Sequence, residues 1–192
     1  QQVSARLEYE MKMLGAQGPS FPTIVACGAN SSLPHYEPGA RPVAEDEPIL
    51  VDWGAQVGWY CSDLTRMIWL GKPRREMVKV NAVVREAHDR AIEAAKAGMT
   101  AHALDKVARD VISKAGYGKQ FAHSLGHGLG LDVHEAPRVG MNSTTVLEPG
   151  MVVTIEPGVY VPGVGGVRIE DDILITDDGC RVLTSMEIEN PK

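Results

Sequence analysis

Two histidines stand inside a glycine-rich run of the chain, a combination that could support metal binding or acid–base chemistry. The run is Gly126-His127-Gly128-Leu129-Gly130-Leu131-Asp132-Val133-His134-Glu135. Its glycines disfavour a helix, permit backbone angles that other residues avoid, and leave space beside a bound group. By themselves the two histidines could equally be polar loop residues. Their function therefore depends on which other groups the fold brings to them.

Four carboxylates stand in apolar segments that have the composition of buried strands. They are Asp52 after Ile49-Leu50-Val51, Asp63 within Val57–Arg66, Glu156 after Val153-Thr154-Ile155, and Glu170 within Gly166–Ile175. The members of the first pair are 11 residues apart and those of the second pair 14. A histidine-containing loop precedes each pair, with His35 in the first half and His123 to His134 in the second. This pattern indicates a degenerate internal repeat, whose two units would bring all four acids to one cleft.

Such a cluster needs compensating charge, because ionised groups are almost never buried alone. Two unit charges ~4 Å apart repel by ~1 kcal/mol in water and by ~4 kcal/mol at an effective dielectric constant of 20. Either some of the acids are protonated or cations lie between them. Two divalent ions would balance four carboxylates, and one neutral imidazole would complete the set of ligands. Oxygen ligands with one histidine suit Mn²⁺, Fe²⁺, Co²⁺ or Zn²⁺.

Simpler explanations exist for each acid. Arg66 and Arg168 lie within three residues of Asp63 and Glu170 and could form ion pairs with them. Asp52 precedes Trp53-Gly54 and Glu156 precedes Pro157-Gly158, so both could be turn residues. The duplicated pattern together with the histidine run favours the metal site.

Three other histidines receive different interpretations. His88 and His102 stand among charged residues on predicted helices, so we expect both to be solvated. His123 precedes His127 by four residues, but the intervening Ser124-Leu125-Gly126 lacks the glutamate of a zincin HExxH motif, and its glycine disfavours a helix.

Composition predicts one soluble domain spanning residues 1–192, since 44% of the residues are hydrophobic and 23% are charged. A net charge of −6 argues against a nucleic-acid partner. No apolar run approaches the ~20 residues of a membrane helix. The three cysteines, Cys27, Cys61 and Cys180, fit reduced thiols, and Gln1-Gln2-Val3-Ser4 does not resemble a signal peptide. We therefore expect a cytoplasmic protein.

Periodicity predicts the main elements. Helices are expected over Val3–Leu14, over Glu76–Ala97, and from an N-cap at Thr100 to about Ala115. Strands are expected at Phe21–Gly28, Ile49–Gly54, Val57–Arg66, Met151–Glu156 and Gly166–Ile175.

Six segments in order resemble the pita-bread metallopeptidases, the superfamily of methionine aminopeptidase, Xaa-Pro aminopeptidase, prolidase and creatinase. They are Pro34–Gly39, Leu50–Gly54, Ser62–Arg66, Gly126–Glu135, Thr154–Tyr160 and Gly166–Asp171. The resemblance is greatest to the Xaa-Pro enzymes and covers nearly the whole chain. It implies an α+β pita-bread fold, in which two pseudo-symmetric halves form a curved, largely antiparallel sheet flanked by helices. It also implies a truncated first helix and the absence of the N-terminal domain that these enzymes usually carry.

The resemblance also implies roles for nine residues. Asp52 would bind one metal ion, Asp63 and Glu170 would bridge both ions, and His127 with Glu156 would complete the second site, with Mn²⁺ the expected metal. Glu156 would act as general base, and His35 and His134 would hydrogen-bond the reacting peptide. His123 and Arg168 would contact the C-terminal side of the substrate.

The expected reaction is therefore hydrolysis of the Xaa-Pro bond at the start of a peptide or in a dipeptide, and a homodimer is possible. Methionine aminopeptidase, a non-catalytic pita-bread binding module and a metal-free amidinohydrolase like creatinase are the alternatives. The complete ligand set weighs against the last two.

Overall fold

Runs of antiparallel strands and helices follow one another along the chain, as an α+β fold requires. The structure is a computed structural model that describes residues 1–184 and 186–191. Its helices are α1 (Gln2–Met13), α2 (Arg75–Ala94) and α3 (Ala101–Lys114). Its strands are β1 (Gly18–Pro19), β2 (Ile24–Cys27), β3 (Pro48–Trp53), β4 (Ala55–Val57), β5 (Tyr60–Cys61), β6 (Leu64–Trp69), β7 (Gly126–Gly128), β8 (Glu135–Val139), β9 (Val152–Ile155), β10 (Gly158–Val161), β11 (Gly165–Arg168), β12 (Asp171–Ile175) and β13 (Cys180–Val182). Short 3₁₀ turns cover Gly28–Ser32 and Gly118–Gln120.

The strands of the described residues form four sheets. The largest has the order β13-β12-β9-β7-β8, and the order β2-β3-β6 forms the main sheet of the first half. Strands β1, β4 and β5 form a third sheet, and β10 pairs with β11 in the fourth. The pairs within all four sheets are antiparallel. In both halves a short hairpin thus separates the two strands that hold or directly flank the acids. The hairpin is β4–β5 between β3 and β6 in the first half, and β10–β11 between β9 and β12 in the second.

Helices α2 and α3 cover the sheets and supply much of the core. The apolar stripe of α2 is buried at Val80, Val84, Ala87 and Ala91. Helix α3 begins as predicted, because the Thr100 hydroxyl oxygen accepts a hydrogen bond from the Ala103 N–H at 3.1 Å. No helix in the described part of the chain combines the length and the apolar content that crossing a membrane requires.

His88 is buried, so the expectation that it is solvated is wrong. Its side chain is 2% exposed, and its Nε2 lies 3.0 Å from the Asp171 carboxylate. The charged neighbours of His88 in sequence suggested solvent, but the residue stands four positions after Val84 and three before Ala91. It therefore lies on the buried stripe of α2. His102 is exposed on α3, as expected.

The segment Gly166–Ile175 is two strands and not one. Strand β11 pairs with β10, whereas β12 pairs with β9 and β13 in a different sheet. Ile169 and Glu170 form the break between them. The segment contains no proline or turn pair that would indicate this change of partner.

Candidate active site

All nine residues expected at the site line one cleft of about 510 Å³. They are His35, Asp52, Asp63, His123, His127, His134, Glu156, Arg168 and Glu170. The rest of its wall is mainly apolar and includes Phe21, Pro22, Ile24 and Tyr36. The prediction that the two halves bring their acids to one cleft is therefore confirmed.

Strand register places the two acids of the first half on one face. Asp52 lies on β3 directly opposite Thr65 on β6. Asp63 stands two residues before Thr65, and side chains two positions apart point to the same side of an extended chain. The 11 positions between Asp52 and Asp63 are therefore the length that the β4–β5 hairpin needs to bring the chain back to the same face of the β3–β6 pair.

The second half repeats the arrangement. Ile155 pairs with Asp171 in the β9–β12 ladder, so the next residue pair across the two strands is Glu156 and Glu170. The β10–β11 hairpin connects them. Both glutamates thus stand at the open end of the ladder, where the strands separate.

Two threonine hydroxyls hold the two glutamates. The Thr65 hydroxyl donates to Glu170 Oε2 at 2.6 Å, and the Thr154 hydroxyl donates to Glu156 Oε1 at 3.3 Å. Thr154 Oγ1 also accepts from the backbone N–H of His127 at 3.1 Å. The threonines belong to the motifs that carry the resemblance, but sequence reasoning assigned them no function.

His127 presents a bare ring nitrogen to the acids. Its Nδ1 lies 3.0 Å from the Gly128 carbonyl oxygen, which can only accept, so Nδ1 carries the ring proton. Burial lowers the pKa of His127, and the imidazole is therefore neutral. Its Nε2 lone pair lies 3.3 Å from Glu156 Oε1 and 3.7 Å from Asp63 Oδ2. These atoms repel one another unless a proton or a cation lies between them.

The glycines beside His127 are required by close packing. A Cβ on Gly126 would lie 1.9 Å from the Thr154 carbonyl oxygen, and one on Gly128 would lie 2.2 Å from the Ala136 carbonyl oxygen. Neither glycine adopts a left-handed backbone. The expected space beside a bound group is in fact taken up by the neighbouring strands β8 and β9, which hold His127 between them.

Burial and mutual repulsion make the acids bind protons tightly. Burial, with the neighbouring charges of Asp52 and Glu156, raises the pKa of Asp63 to about 9. Burial raises the pKa of Glu156 to about 8 and that of Glu170 well above its ordinary value. Among the described residues, no lysine or arginine forms an ion pair with these three acids.

The two nearby arginines pair elsewhere. Arg66 binds Asp171 at 2.6 Å, and Arg168 binds Asp52 through Oδ2. The alternative in which Asp63 pairs with Arg66 and Glu170 with Arg168 is therefore wrong. Asp52 is also part of a strand and not of a turn.

The donor set fits a divalent cation. Single ligand atoms of Asp63, His127 and Glu170 lie within 4.8 Å of one another. The second oxygen of Asp52, Oδ1, is buried without a hydrogen-bond partner in the described structure. A cation would satisfy the unprotonated His127 Nε2, this orphaned oxygen and the excess negative charge together.

A directed chain of hydrogen bonds ties His123 to Arg168. The Arg168 Nη1 donates to Tyr160 Oη at 2.8 Å, and the Tyr160 hydroxyl donates to His123 Nε2 at 3.0 Å. His123 Nδ1 donates to the Ser124 carbonyl oxygen at 2.8 Å. Burial lowers the pKa of His123 to about 4, which keeps its ring neutral. Both nitrogens of His123 are thus hydrogen-bonded to the protein. Tyr160 connects the two cleft residues His123 and Arg168, and the sequence assigned it no function.

His35 and His134 lie at the exposed edge of the cleft. Both side chains are solvent-accessible. The His134 ring centroid is 4.4 Å from that of His127, at an interplanar angle of 58°. Two histidines can therefore reach a molecule in the cleft without losing contacts that the fold needs.

Comparison with known proteins agrees with this geometry. Residues 1–177 match the model of metallopeptidase family M24. The chain belongs to this family. The M24 chain is 49% identical over 188 residues to the Xaa-Pro dipeptidase of Pyrococcus furiosus, a match that covers 98% of this chain and 54% of that protein.

Solved structures of similar proteins have the same fold. The Xaa-Pro dipeptidase from Bacillus anthracis superposes with a TM-score of 0.97 at 46% identity, covering 98% of this chain and 53% of that one. The X-Pro aminopeptidase from Thermotoga maritima gives a TM-score of 0.95 at 43% identity, with coverage of 98% and 53%. The expected pita-bread fold is confirmed, and the M24 chain spans about half the length of the relatives it matches.

Proposed function

We propose that this M24 chain is a metal-dependent peptidase that hydrolyses the Xaa-Pro bond at the start of a peptide or in a dipeptide. The observation that carries the proposal is the close group of Asp63, His127 and Glu170, within 4.8 Å and in the same cleft as Asp52 and Glu156. The substrate class is supported by relatives at 43–49% identity that are Xaa-Pro dipeptidases or X-Pro aminopeptidases.

Two divalent ions are proposed for the site, with Mn²⁺ first and Co²⁺, Zn²⁺ or Fe²⁺ as the other choices. Asp52 would hold one ion, Asp63 and Glu170 would bridge both, and His127 and Glu156 would complete the second site. When bound, the ions make water more acidic and stabilise negative charge on the scissile carbonyl. Two charges of +2 also match the four carboxylates.

The protein groups then supply geometry and proton transfer. Glu156 is the proposed general base, because its carboxylate lines the cleft and the Thr154 hydroxyl holds it in place. His35 and His134 are the proposed hydrogen-bond partners of the reacting peptide. Phe21, Pro22 and Ile24 offer the apolar wall that a pyrrolidine ring would contact.

Arg168 and His123 remain proposed substrate contacts because both line the cleft. Arg168 also neutralises Asp52 Oδ2, which leaves Asp52 Oδ1 free for an ion. A substrate group that binds His123 has to replace one of its two hydrogen bonds with the protein, or contact the face of its ring.

The test is hydrolysis by the Mn²⁺-loaded chain of three substrates, a dipeptide Xaa-Pro, a tripeptide Xaa-Pro-Yaa and a methionine-initiated peptide without proline. We expect cleavage before proline in one or both of the first two, and no cleavage by the metal-loaded Asp63→Asn variant. Preference for the methionine peptide would indicate a methionine aminopeptidase. Metal binding without cleavage of any peptide would indicate a binding module.

A further inference from the structure

A fifth buried carboxylate, Asp172, lies beside the proposed metal ligands and was not part of the predicted site. Its side chain is 3% exposed. Asp172 pairs with Thr154 in the β9–β12 ladder and stands two residues after Glu170, so it shares a face of the sheet with both. It does not line the cleft, and it therefore lies behind the ligands rather than among them.

One oxygen of Asp172 holds the backbone of Asp63. The Asp63 N–H donates to Asp172 Oδ2 at 3.1 Å. Asp63 lies between β5 and β6, outside both strands, so the ladders do not fix its position. This hydrogen bond connects two sheets, since β6, which begins directly after Asp63, belongs to β2-β3-β6, and β12, which contains Asp172, belongs to the five-stranded sheet.

Other hydrogen bonds join the same segments but hold different atoms. Arg66 donates to the Glu170 carbonyl oxygen at 2.5 Å and to Asp171 Oδ1 at 2.6 Å. The Glu170 N–H donates to the Thr65 carbonyl oxygen at 3.2 Å, and the Thr65 hydroxyl donates to Glu170 Oε2 at 2.6 Å. These bonds orient Glu170. The hydrogen bond that the Asp63 N–H donates to Asp172 fixes the backbone of Asp63, the ligand proposed to bridge both ions.

We infer that Asp172 is a positioning residue, which sets the place of the Asp63 carboxylate by accepting the Asp63 N–H. This inference rests on the proposed metal site. A further negative charge beside Asp63 and Glu156 opposes their ionisation, so the residue does not help by its charge alone in the metal-free protein. Its contribution is the hydrogen bond, as for the residues that orient ligands in other metal sites.

The matched variants Asp172→Asn and Asp172→Ala separate these two effects. Asparagine keeps an acceptor oxygen and removes the charge, whereas alanine removes both. Ser31→Ala is the control, since the buried Ser31 Oγ accepts the Gly166 N–H at 2.8 Å without contacting a proposed ligand. Melting temperatures in EDTA measure how much each variant destabilises the fold itself.

Two readouts test the inference. Calorimetric titration with Mn²⁺ should show affinity about 10- to 100-fold weaker in Asp172→Ala, within about threefold of wild type in Asp172→Asn, and unchanged in Ser31→Ala. Hydrogen exchange at the Asp63 amide of the metal-free protein should be faster in Asp172→Ala and near the wild-type rate in Asp172→Asn.

An Asp172→Ala variant that binds Mn²⁺ with wild-type affinity would overturn the inference. An Asp172→Asn variant that binds Mn²⁺ as weakly as Asp172→Ala would also overturn it, because the charge of Asp172 and not its hydrogen bond would then be the cause. If the wild-type chain binds no Mn²⁺, the proposed function is wrong. Independently of metal binding, an Asp63 amide that exchanges at the wild-type rate in Asp172→Ala would overturn the inference about Asp172.

Discussion

Arg168 forms an ion pair with Asp52 across 116 positions of sequence, joining the second half of the chain to the first inside the cleft. The guanidinium also donates to Thr65 Oγ1 at 3.0 Å and to Tyr160 Oη at 2.8 Å. One buried cation thus holds an acid of the first half, the hydroxyl that orients Glu170, and the hydroxyl that binds His123. Several properties of the chain should depend on it.

Replacing Arg168 by leucine should destabilise the metal-free protein by about 3–5 kcal/mol, because it leaves a buried Asp52 carboxylate without its partner. Urea unfolding in EDTA measures this change. Arg181→Leu is the control, since Arg181 is exposed and its loss should change stability by no more than about 0.5 kcal/mol. Equal stability of the two variants would show that the ion pair contributes nothing to the fold.

The metal-free protein should lose stability as the pH rises. Burial raises the pKa of Asp63 to about 9 and that of Glu156 to about 8, against values near 4 in the unfolded chain. The folded state therefore binds more protons than the unfolded state between about pH 4 and pH 9. For each extra proton that the folded state binds, the free energy of unfolding falls by about 1.4 kcal/mol for each unit by which the pH rises.

Urea unfolding in EDTA at pH 5 and at pH 8 checks this sign. A metal-free protein that is more stable at pH 8 would contradict the electrostatics of the site. Since bound cations displace the same protons, Mn²⁺ affinity should change in the opposite direction and be greater at pH 8 than at pH 6.

His134→Ala should lower kcat by about 100-fold or more while leaving bound metal and melting temperature unchanged. His134 is exposed at the edge of the cleft, and we assign it a hydrogen bond to the reacting peptide and no metal contact. His102→Ala, which removes an exposed histidine from α3, is the matched control. A kcat within twofold of wild type would remove His134 from the mechanism, and loss of metal would make it a ligand.

His88→Leu should destabilise the protein by about 1–3 kcal/mol, because the Asp171 carboxylate loses a buried partner 3.0 Å away. Burial alone would lower the pKa of His88, but contacts with Asp171 and Asp89 raise it above its ordinary value. Denaturant unfolding checks the change, again with His102→Ala for comparison. No loss of stability would mean that the buried imidazole is dispensable.

The sequence predicted the cleft well because the relevant signals are local. An acid at the end of an apolar run is costly unless something compensates it, and this applies to Asp52 and Glu156 from sequence alone. The spacing of the acids also had a local cause, since each interval is the length of one hairpin. The apolar stripe of α2 follows from helical periodicity in the same way.

The remaining features depend on contacts between distant segments. Arg168 could be placed near Glu170 by sequence distance, but only the assembled sheets show that it binds Asp52. The charged neighbours of His88 predict a solvated side chain, whereas its position on the apolar stripe of α2 buries it. The sequence does not indicate a function for Asp172, since its proposed function depends on a hydrogen bond from the Asp63 N–H, 109 positions away in sequence.

The number of divalent ions bound per chain tests the central claim most directly. After loading with Mn²⁺ and removal of excess metal, elemental analysis should find two ions per wild-type chain. It should find fewer than one in the Asp63→Asn variant, whose fold, checked by circular dichroism, should be intact. A wild-type chain that retains no metal, or an Asp63→Asn chain that retains as much as wild type, would contradict the assignment of these carboxylates to a two-metal peptidase site.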